Sequence, residues 1–528
     1  MAGPFDVIVI GSGFGGAIAA RRLAEKGMRV LVLERGRRWD PPTYPRKPGD
    51  AWIYSHDKPE RHNGWLDMRF FKHMTVAQAA GVGGGSLTYS SVALEANPNV
   101  FAQGWPAEIT YAELKPYYDT VAKEMNLQVV PDGQLTRRFK IAREAAHNLG
   151  YDSRFSKANL AVSFSEDWNY DLDDPFDPKH SKGFVNAHGQ RQGTCIHLGN
   201  CDVGCDVRAK NALDVNYIPR AEQKGAEVRP LHLVRYIEPK DGAYRVVFDR
   251  IEDGGLVRGE ETARLVIVAA GSVGTTELLL RCRDEFRTLP NLSPRLGSNW
   301  SPNANFISMG RYTGDDRGRV RQSVGVAISS VLDFTDGSYK GQRFAVEDDG
   351  FPNVILNAVK AYLDRELVTS LGNTLLESLE HHLREDYALS DLMVWLGAGM
   401  DAADGQFALK ERGLLEKSLE LDLDWDPETS RGVLEAISEV QRELTRATGG
   451  HWFVPPTWSL FRNLLTLHPL GGCRIGTSRE TGVVDHLGRV FGYQGLIVAD
   501  GAMVPTSTGR NPSHTIAALA ERIAANLA

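Results

Sequence analysis

Apolar residues along this chain repeat one arrangement three times: a short β-branched run, a glycine-rich break, then a stretch of helix formers. The first copy opens with Phe5-Asp-Val-Ile-Val-Ile10, breaks over residues 11–16, continues through helix formers at 17–26 and returns to an apolar strand at 28–34. Strand, turn, helix and strand in that order predict a βαβ unit, and hence a parallel sheet. The second copy has a strand over 263–270, the break Gly271-Ser-Val-Gly274 and a helix over 275–282, with strands at 226–237 and 244–249 ahead of it. The third is Gly495-Leu-Ile-Val-Ala-Asp500, followed by a helix running from Pro512 to the last residue. These copies lie far apart, so one domain is expected to be assembled from discontinuous segments. Between them the pattern predicts helices over 111–124, 140–148, 353–390 and 431–448, and alternating strands over 406–425. Irregular chain is expected over 37–75 and 166–182, where proline, aromatic and acidic residues show no period.

Composition narrows the class. Glycine supplies 53 of 528 residues, above the usual ~7%, so many backbone positions must exclude a side chain. A net charge of −7 argues against a nucleic-acid partner. The length predicts two domains or more. No run approaches the ~18 apolar residues of a membrane span, and Met1-Ala-Gly-Pro lacks the basic start of an export signal. Five cysteines, an odd number in a long chain, suit a reducing compartment better than a disulfide scaffold. The expectation is a cytoplasmic protein with at most peripheral membrane contact.

The strongest motif is Gly11-Ser12-Gly13-Phe14-Gly15-Gly16 between a strand and a helix, with Glu34 ending the next strand. Gly11 permits the tight turn, Gly13 lets backbone approach a pyrophosphate, and Gly16 lets helix and sheet pack. The helix N-terminus offers free N–H groups to phosphate, and the Glu34 carboxylate can accept from ribose hydroxyls. Arg35 alone would hint at a 2′-phosphate, which Glu34 would repel. The C-terminal strand ending at Asp500-Gly501, with a helix start near Asn511, favours FAD over a nicotinamide. A carboxylate there can meet a sugar-alcohol hydroxyl, and a helix dipole can point at an electron-rich ring.

These pieces, with Gly81-Val-Gly-Gly-Gly-Ser86-Leu, Ala269-Ala-Gly-Ser-Val-Gly274, Trp300-Ser-Pro-Asn-Ala-Asn305 and His468-Pro-Leu-Gly-Gly-Cys473, stand in the order of a known family. The chain resembles the glucose–methanol–choline (GMC) oxidoreductases, and among them the cholesterol oxidase-like branch. The resemblance implies an α/β fold with a discontinuous Rossmann-like FAD-binding domain (1–45, 76–100, 206–300 and 469–528). It also implies an α+β substrate-binding domain and cap with an antiparallel sheet (46–75, 101–205 and 301–468). It implies non-covalent FAD held by the Gly11–Gly16 turn, Glu34, Arg35, Gly81, Gly83, Gly84, Gly85, Ser86, Val234, Ala270, Gly271, Asp500, Gly501, Asn511 and Pro512. The implied reaction oxidises a hydrophobic small-molecule alcohol, a bulky secondary hydroxyl of steroid type, by hydride transfer to the flavin. Oxygen or another acceptor then takes the electrons. A sugar, polyol or terpenoid alcohol dehydrogenase, or a lyase of the same fold with non-redox FAD, stands as the alternative.

His468 is the implied catalytic base and orienter, a role its imidazole can fill near neutral pH. Asn511 is implied to orient the substrate oxygen. Glu347, in Phe344-Ala-Val-Glu-Asp-Asp349, resembles the carboxylate with which sterol oxidases move a ring double bond, although three acids in a row equally describe a solvated loop. Where such oxidases carry an asparagine after the glycine run, this chain has Thr88-Tyr89-Ser90, so Tyr89 is either a flavin neighbour or plain packing. The site residues include no metal ligand. Cys195-x5-Cys201-x3-Cys205 stands apart from these: thiolates for a metal or iron–sulfur cluster, with His197 nearby, or a cysteine-rich turn with or without a disulfide. Iron there would favour the dehydrogenase alternative. Residues 363–389 read as a packed helix pair, or as a lid with an apolar edge for a membrane.

Overall fold

The computed structural model describes residues 5–312, 320–355, 390–412 and 418–527. The greater part of the helical stretch expected over 353–390, and all of the lid candidate at 363–389, lie outside the described residues.

All three strand–glycine–helix units converge on one seven-stranded sheet. Phe5–Ile10 runs parallel to Val30–Leu33 on one side and to the end of Gly255–Val268 on the other, and Leu496–Val498 adds alongside that long strand. The sheet interior is valine, isoleucine and leucine with essentially no exposure, as a parallel sheet covered on both faces requires. His232–Lys240 and Ala243–Glu252 extend it as an antiparallel meander. The helices Phe14–Glu25 and Ser513–Asn526 pack against each other beside it, so both of their N-termini open toward the same edge.

A second sheet is six-stranded and wholly antiparallel, in the order His451–Phe453, Phe306–Arg311, Leu392–Gly399, Phe344–Asp349, Ser330–Asp333, Phe155–Lys157. The helix Arg431–Ala447 covers one face with Val433, Ile437 and Val440, all buried. A further, four-stranded sheet is formed by Leu464–Thr466, Met74–Ala79, Leu66–Phe70 and Ile53–Tyr54. The boundary expected between residues 75 and 76 falls within the strand Met74–Ala79, which pairs with Leu66–Phe70. The strands expected over 406–425 form the hairpin Gln406–Arg412 and Ser418–Asp424. Among the described residues no helix is long and apolar enough to cross a membrane.

One contact sets the distance between the first helix and the third strand unit. A Cβ at Gly15 would lie 1.5 Å from the carbonyl oxygen of Ala499, the residue before Asp500. Gly15→Ala must push the helix from that strand, at a cost of about 1–3 kcal/mol or more. It is expected to lower the thermal midpoint and to purify without flavin. Gly133→Ala, where a Cβ would meet nothing within 4 Å, should leave both unchanged.

Candidate active site

The converging elements enclose a cavity of about 1000 Å³ that reaches from Glu34 and Arg35 at one end to His468 and Asn511 at the other. Gly11, Ser12, Gly13, Phe14 and Gly15 line it, as do Gly84, Gly85, Val234, Ala270, Gly271, Asp500, Gly501 and Pro512. Gly16, Gly81, Gly83 and Ser86 do not. Gly16 abuts the Gly11 carbonyl and Gly81 abuts Trp39, while Ser86 Oγ donates to Gly83 O and accepts from the Leu213 N–H, so these four shape the wall from behind.

Each end is held by its own network. Glu34 accepts from Ser12 N–H at 3.0 Å, Ser12 Oγ at 2.6 Å and Gly36 N–H at 2.8 Å, which fixes its carboxylate against the glycine turn. Arg35 donates to Asp67 at 2.7 Å and lies over the Tyr54 ring, so its charge is already paired and is not offered to a 2′-phosphate. Asp500 accepts from Gly271 N–H, Thr275 Oγ1 and Ala502 N–H; burial nevertheless pushes its carboxyl up to about 6. Tyr89 lines the cavity, edge-on to Phe14 at 5.5 Å, with Lys210 over its ring at 4.7 Å.

At the inner end, Asn305 Nδ2 donates to His468 Nδ1 at 2.9 Å. The amide cannot be reversed, because its Oδ1 accepts from the Leu467 N–H at 3.2 Å. Nδ1 is therefore an acceptor, and neutral His468 carries its proton on Nε2. Burial lowers the imidazole to about 4, so the neutral ring is the form present at pH 7.

Glu347 is not on a solvated loop. It sits 2% exposed in the strand Phe344–Asp349, opposite Leu396, which lines the cavity. Cross-strand partners share a face, so the Glu347 side chain is turned the same way. Asn511 Nδ2 donates to its Oε2 at 3.2 Å, and its Oε1 is buried without a partner. Burial, with the neighbouring Asp348 adding to it, pushes the Glu347 carboxyl up to about 8. Asp348 points to the opposite face, where Ser329, Ser330 and Arg138 satisfy it.

Sequence reasoning missed several wall residues: His56, Gln78, His232, Arg235, Glu277 and Arg281. Glu277 stands in the helix after the second glycine break and Asn305 at the end of the Trp300–Asn305 motif; the others come from segments without motif, and only the fold brings them together.

Comparison with known proteins now adds to the geometry. The family model described as GMC oxidoreductase matches residues 402–520, and one described as NAD(P)-binding Rossmann-like domain matches residues 9–45. A cholesterol oxidase of Acinetobacter baumannii is 30% identical, covering 98% of this chain and 93% of its own length. One from Mycobacterium tuberculosis (strain ATCC 25618 / H37Rv) is also 30% identical, over 98% and 90%. The chain belongs to the GMC oxidoreductases.

Within that family it falls in the cholesterol oxidase-like branch. Paromamine 6'-oxidase of Streptomyces fradiae is a more distant relative, 26% identical over 98% of this chain and 90% of its own. The solved structure of pyridoxine 4-oxidase from Mesorbium loti shares the fold, with a TM-score of 0.61 at 16% identity over 99% and 98% of the two chains. This GMC oxidoreductase is an FAD-dependent enzyme acting on alcohols, which removes the lyase alternative. The residues present fit the cofactor: a Cβ at Gly85 would meet nothing within 4 Å, so that glycine borders open space. Two helix N-termini and the fixed carboxylate of Glu34 supply the groups a dinucleotide needs.

Glu34→Gln keeps the shape and loses the charge that Ser12 and Gly36 address. With charge-assisted hydrogen bonds at about 1.5–3 kcal/mol, apoprotein titrated with FAD should bind about 10–100-fold more weakly, read by quenching of flavin fluorescence.

Proposed function

We propose that this GMC oxidoreductase oxidises a bulky secondary alcohol of steroid type to the ketone, with oxygen or another acceptor taking the electrons. The name cholesterol oxidase borne by the relatives at 30% identity supports the substrate class. The observation that carries the chemistry is the buried Glu347 carboxyl, bonded to Asn511 beside the cavity. FAD, when bound, supplies the acceptor for the carbinol hydride.

The residues divide the remaining work. His468, with Nδ1 occupied by Asn305, presents Nε2–H as a donor that holds the substrate oxygen. It is thus an orienter, and the base role expected of it passes to Glu347, which accepts the hydroxyl proton once ionised. Asn511 ties Glu347 to the helix Ser513–Asn526 and so keeps the base in register with the cofactor end. Val92, Ile328 and Leu396 give that end an apolar wall suited to a hydrophobic body. A protonated Glu347 held over an apolar ring system can return its proton to a ring carbon, which is the step a double-bond isomerisation needs.

The cofactor-binding part is assigned to the segments that build the seven-stranded sheet, and the substrate-binding part to those that build the six-stranded one. All five cysteines are free thiols, which suits a reducing, cytoplasmic setting.

The test is an anaerobic panel. Sterols with a free ring hydroxyl are expected to bleach the visible flavin absorbance, whereas glucose, methanol and choline are not; bleaching by a sugar alone would overturn the substrate class. The Glu347 carboxyl at about 8 sets a second expectation. Below that pH it is protonated and cannot act as base, so kcat/KM should rise with pH through about 8. In Glu347→Gln that limb should vanish, with a loss of about 10²–10⁴-fold at pH 9.

A further inference from the structure

Residues 88–90, which follow the second glycine run, have no part in the chemistry above, yet all three line the cavity. Tyr89 offers it no hydroxyl proton, because its phenol donates to Asn211 O at 3.4 Å. Ser90 offers only an acceptor. Its Oγ–H is committed to Asp202 Oδ1 at 3.1 Å, and Asp202 stands outside the cavity wall. Burial lifts the Asp202 carboxyl to about 6, against the pull of Lys210 and of Ser90 itself. Above that pH it is an anion, so Ser90 is the donor of the pair and keeps lone pairs alone for a ligand. A hydroxyl that donates to an anion is polarised and accepts more strongly in its turn.

Ser513 repeats the arrangement from an adjoining segment. Its Oγ donates to Val92 O at 3.0 Å, a carbonyl that can only accept, which lays residues 90–92 beside 511–513. Ser513 lines the cavity as well. Asn511 adds a third oxygen: its Nδ2 is committed to Glu347, and its Oδ1 is buried without a partner. Three neighbouring oxygens thus keep acceptor capacity, while the donor assigned to the substrate, His468 Nε2–H, serves the reacting oxygen. A buried acceptor left without a donor is unfavourable, so the ligand that fills this end must bring protons of its own. An alcohol with a single hydroxyl brings one, and that proton goes to the base.

We propose that the substrate is a diol, a bulky polycyclic alcohol whose second hydroxyl donates to Ser90 Oγ while the first lies between His468 and Glu347. Ser90 is then the residue that separates diols from singly hydroxylated alcohols. Val92, Ile328 and Leu396 keep the rest of that end apolar. Such a wall fits a hydrocarbon body with two separated hydroxyls better than a sugar, whose ring carbons nearly all carry one. The contact is the same in ground and transition states, so it acts on KM and leaves kcat alone. This specificity deepens the alcohol-oxidising reading above and rests on it.

The experiment uses the FAD-loaded full chain at pH 8 and pairs of steroids that differ only by a second ring hydroxyl, whose position is varied around the ring system. At least one diol is expected to exceed its singly hydroxylated parent about 10-fold or more in kcat/KM, the difference lying in KM. Ser90→Ala should bring both members of that pair to the same kcat/KM without weakening FAD binding, and Ser90→Thr, which keeps the hydroxyl, should retain the preference. Asp202→Ala releases the Ser90 proton, so the matching hydroxy-ketone, a poor substrate of the native enzyme, should gain on the diol; a merely structural role for Ser90 would move both together. A diol preference that survives in Ser90→Ala overturns the proposal, as does the absence of any diol above its parent. Weakened FAD binding in Ser90→Ala also overturns it, because the hydroxyl then serves the cofactor. Failure of every alcohol, diols included, to bleach the flavin overturns the alcohol-oxidising reading instead.

Discussion

The hydrogen bond from Asn511 to Glu347 ties the loop before the last helix to the antiparallel sheet, beside the end of the cavity where the proposed chemistry is placed. Asn511 precedes the helix that packs beside the seven-stranded sheet, and Glu347 lies in the antiparallel sheet. A buried carboxyl costs several kcal/mol unless it is neutral or well bonded. Here one oxygen has one amide donor and the other has none, so the group keeps its proton well above the usual carboxylate range. Only a small change in surroundings is then needed to move that proton. The contact between the two sheets' elements is therefore built around an incompletely satisfied carboxyl.

Two asparagines in one short segment keep that interface in register. Asn303 accepts from the Thr508 and Gly509 N–H groups and donates to Arg510 O, gripping the loop that delivers Asn511. Two residues on, Asn305 grips Leu467 N–H and His468 Nδ1. Asn303 and Ala304 adopt left-handed backbone to aim the two amides at different loops, a conformation asparagine accepts more readily than most residues. One segment thus positions both the orienting donor and the amide that holds the base. A single disturbance there would move the two together.

The nucleotide half was legible in the sequence because its signals are local. A βαβ unit, a glycine turn and Glu34 fall within one short stretch, and the final strand Leu496–Val498 ends two residues before Asp500. The substrate half was legible only in part. Leu392–Gly399 is buried at all its positions, so it lacks the alternation that marks a half-exposed strand. Glu347-Asp-Asp349 reads as a solvated loop until alternate residues are assigned to opposite faces, Asp348 to two serines and an arginine, Glu347 to the cavity side. Asn305 acts on a residue 163 positions away. No spacing rule reaches that far, so the Nδ1 partner that fixes the tautomer of His468 could not be read from the sequence.

In the proposed reaction the proton moves only from the substrate oxygen to Glu347, beside His468 Nε2–H as donor and with Asn511 holding the carboxyl. Charges that would compete with it are paired elsewhere, Arg35 with Asp67 and Arg69 with Asp67 and Glu277. Those ion pairs bury cations near the nucleotide end, while the pull of Arg510 on Glu347 is smaller than the push of burial. The cofactor end stays polar enough for phosphate and ribose. A cation beside Glu347 lowers its pKa; Arg510, paired with Asp333 and Glu95 O, pulls that way by less than burial pushes up. The apolar inner wall of Val92, Ile328 and Leu396 and the raised Glu347 carboxyl thus follow from one arrangement, an inner end where burial outweighs the pull of Arg510.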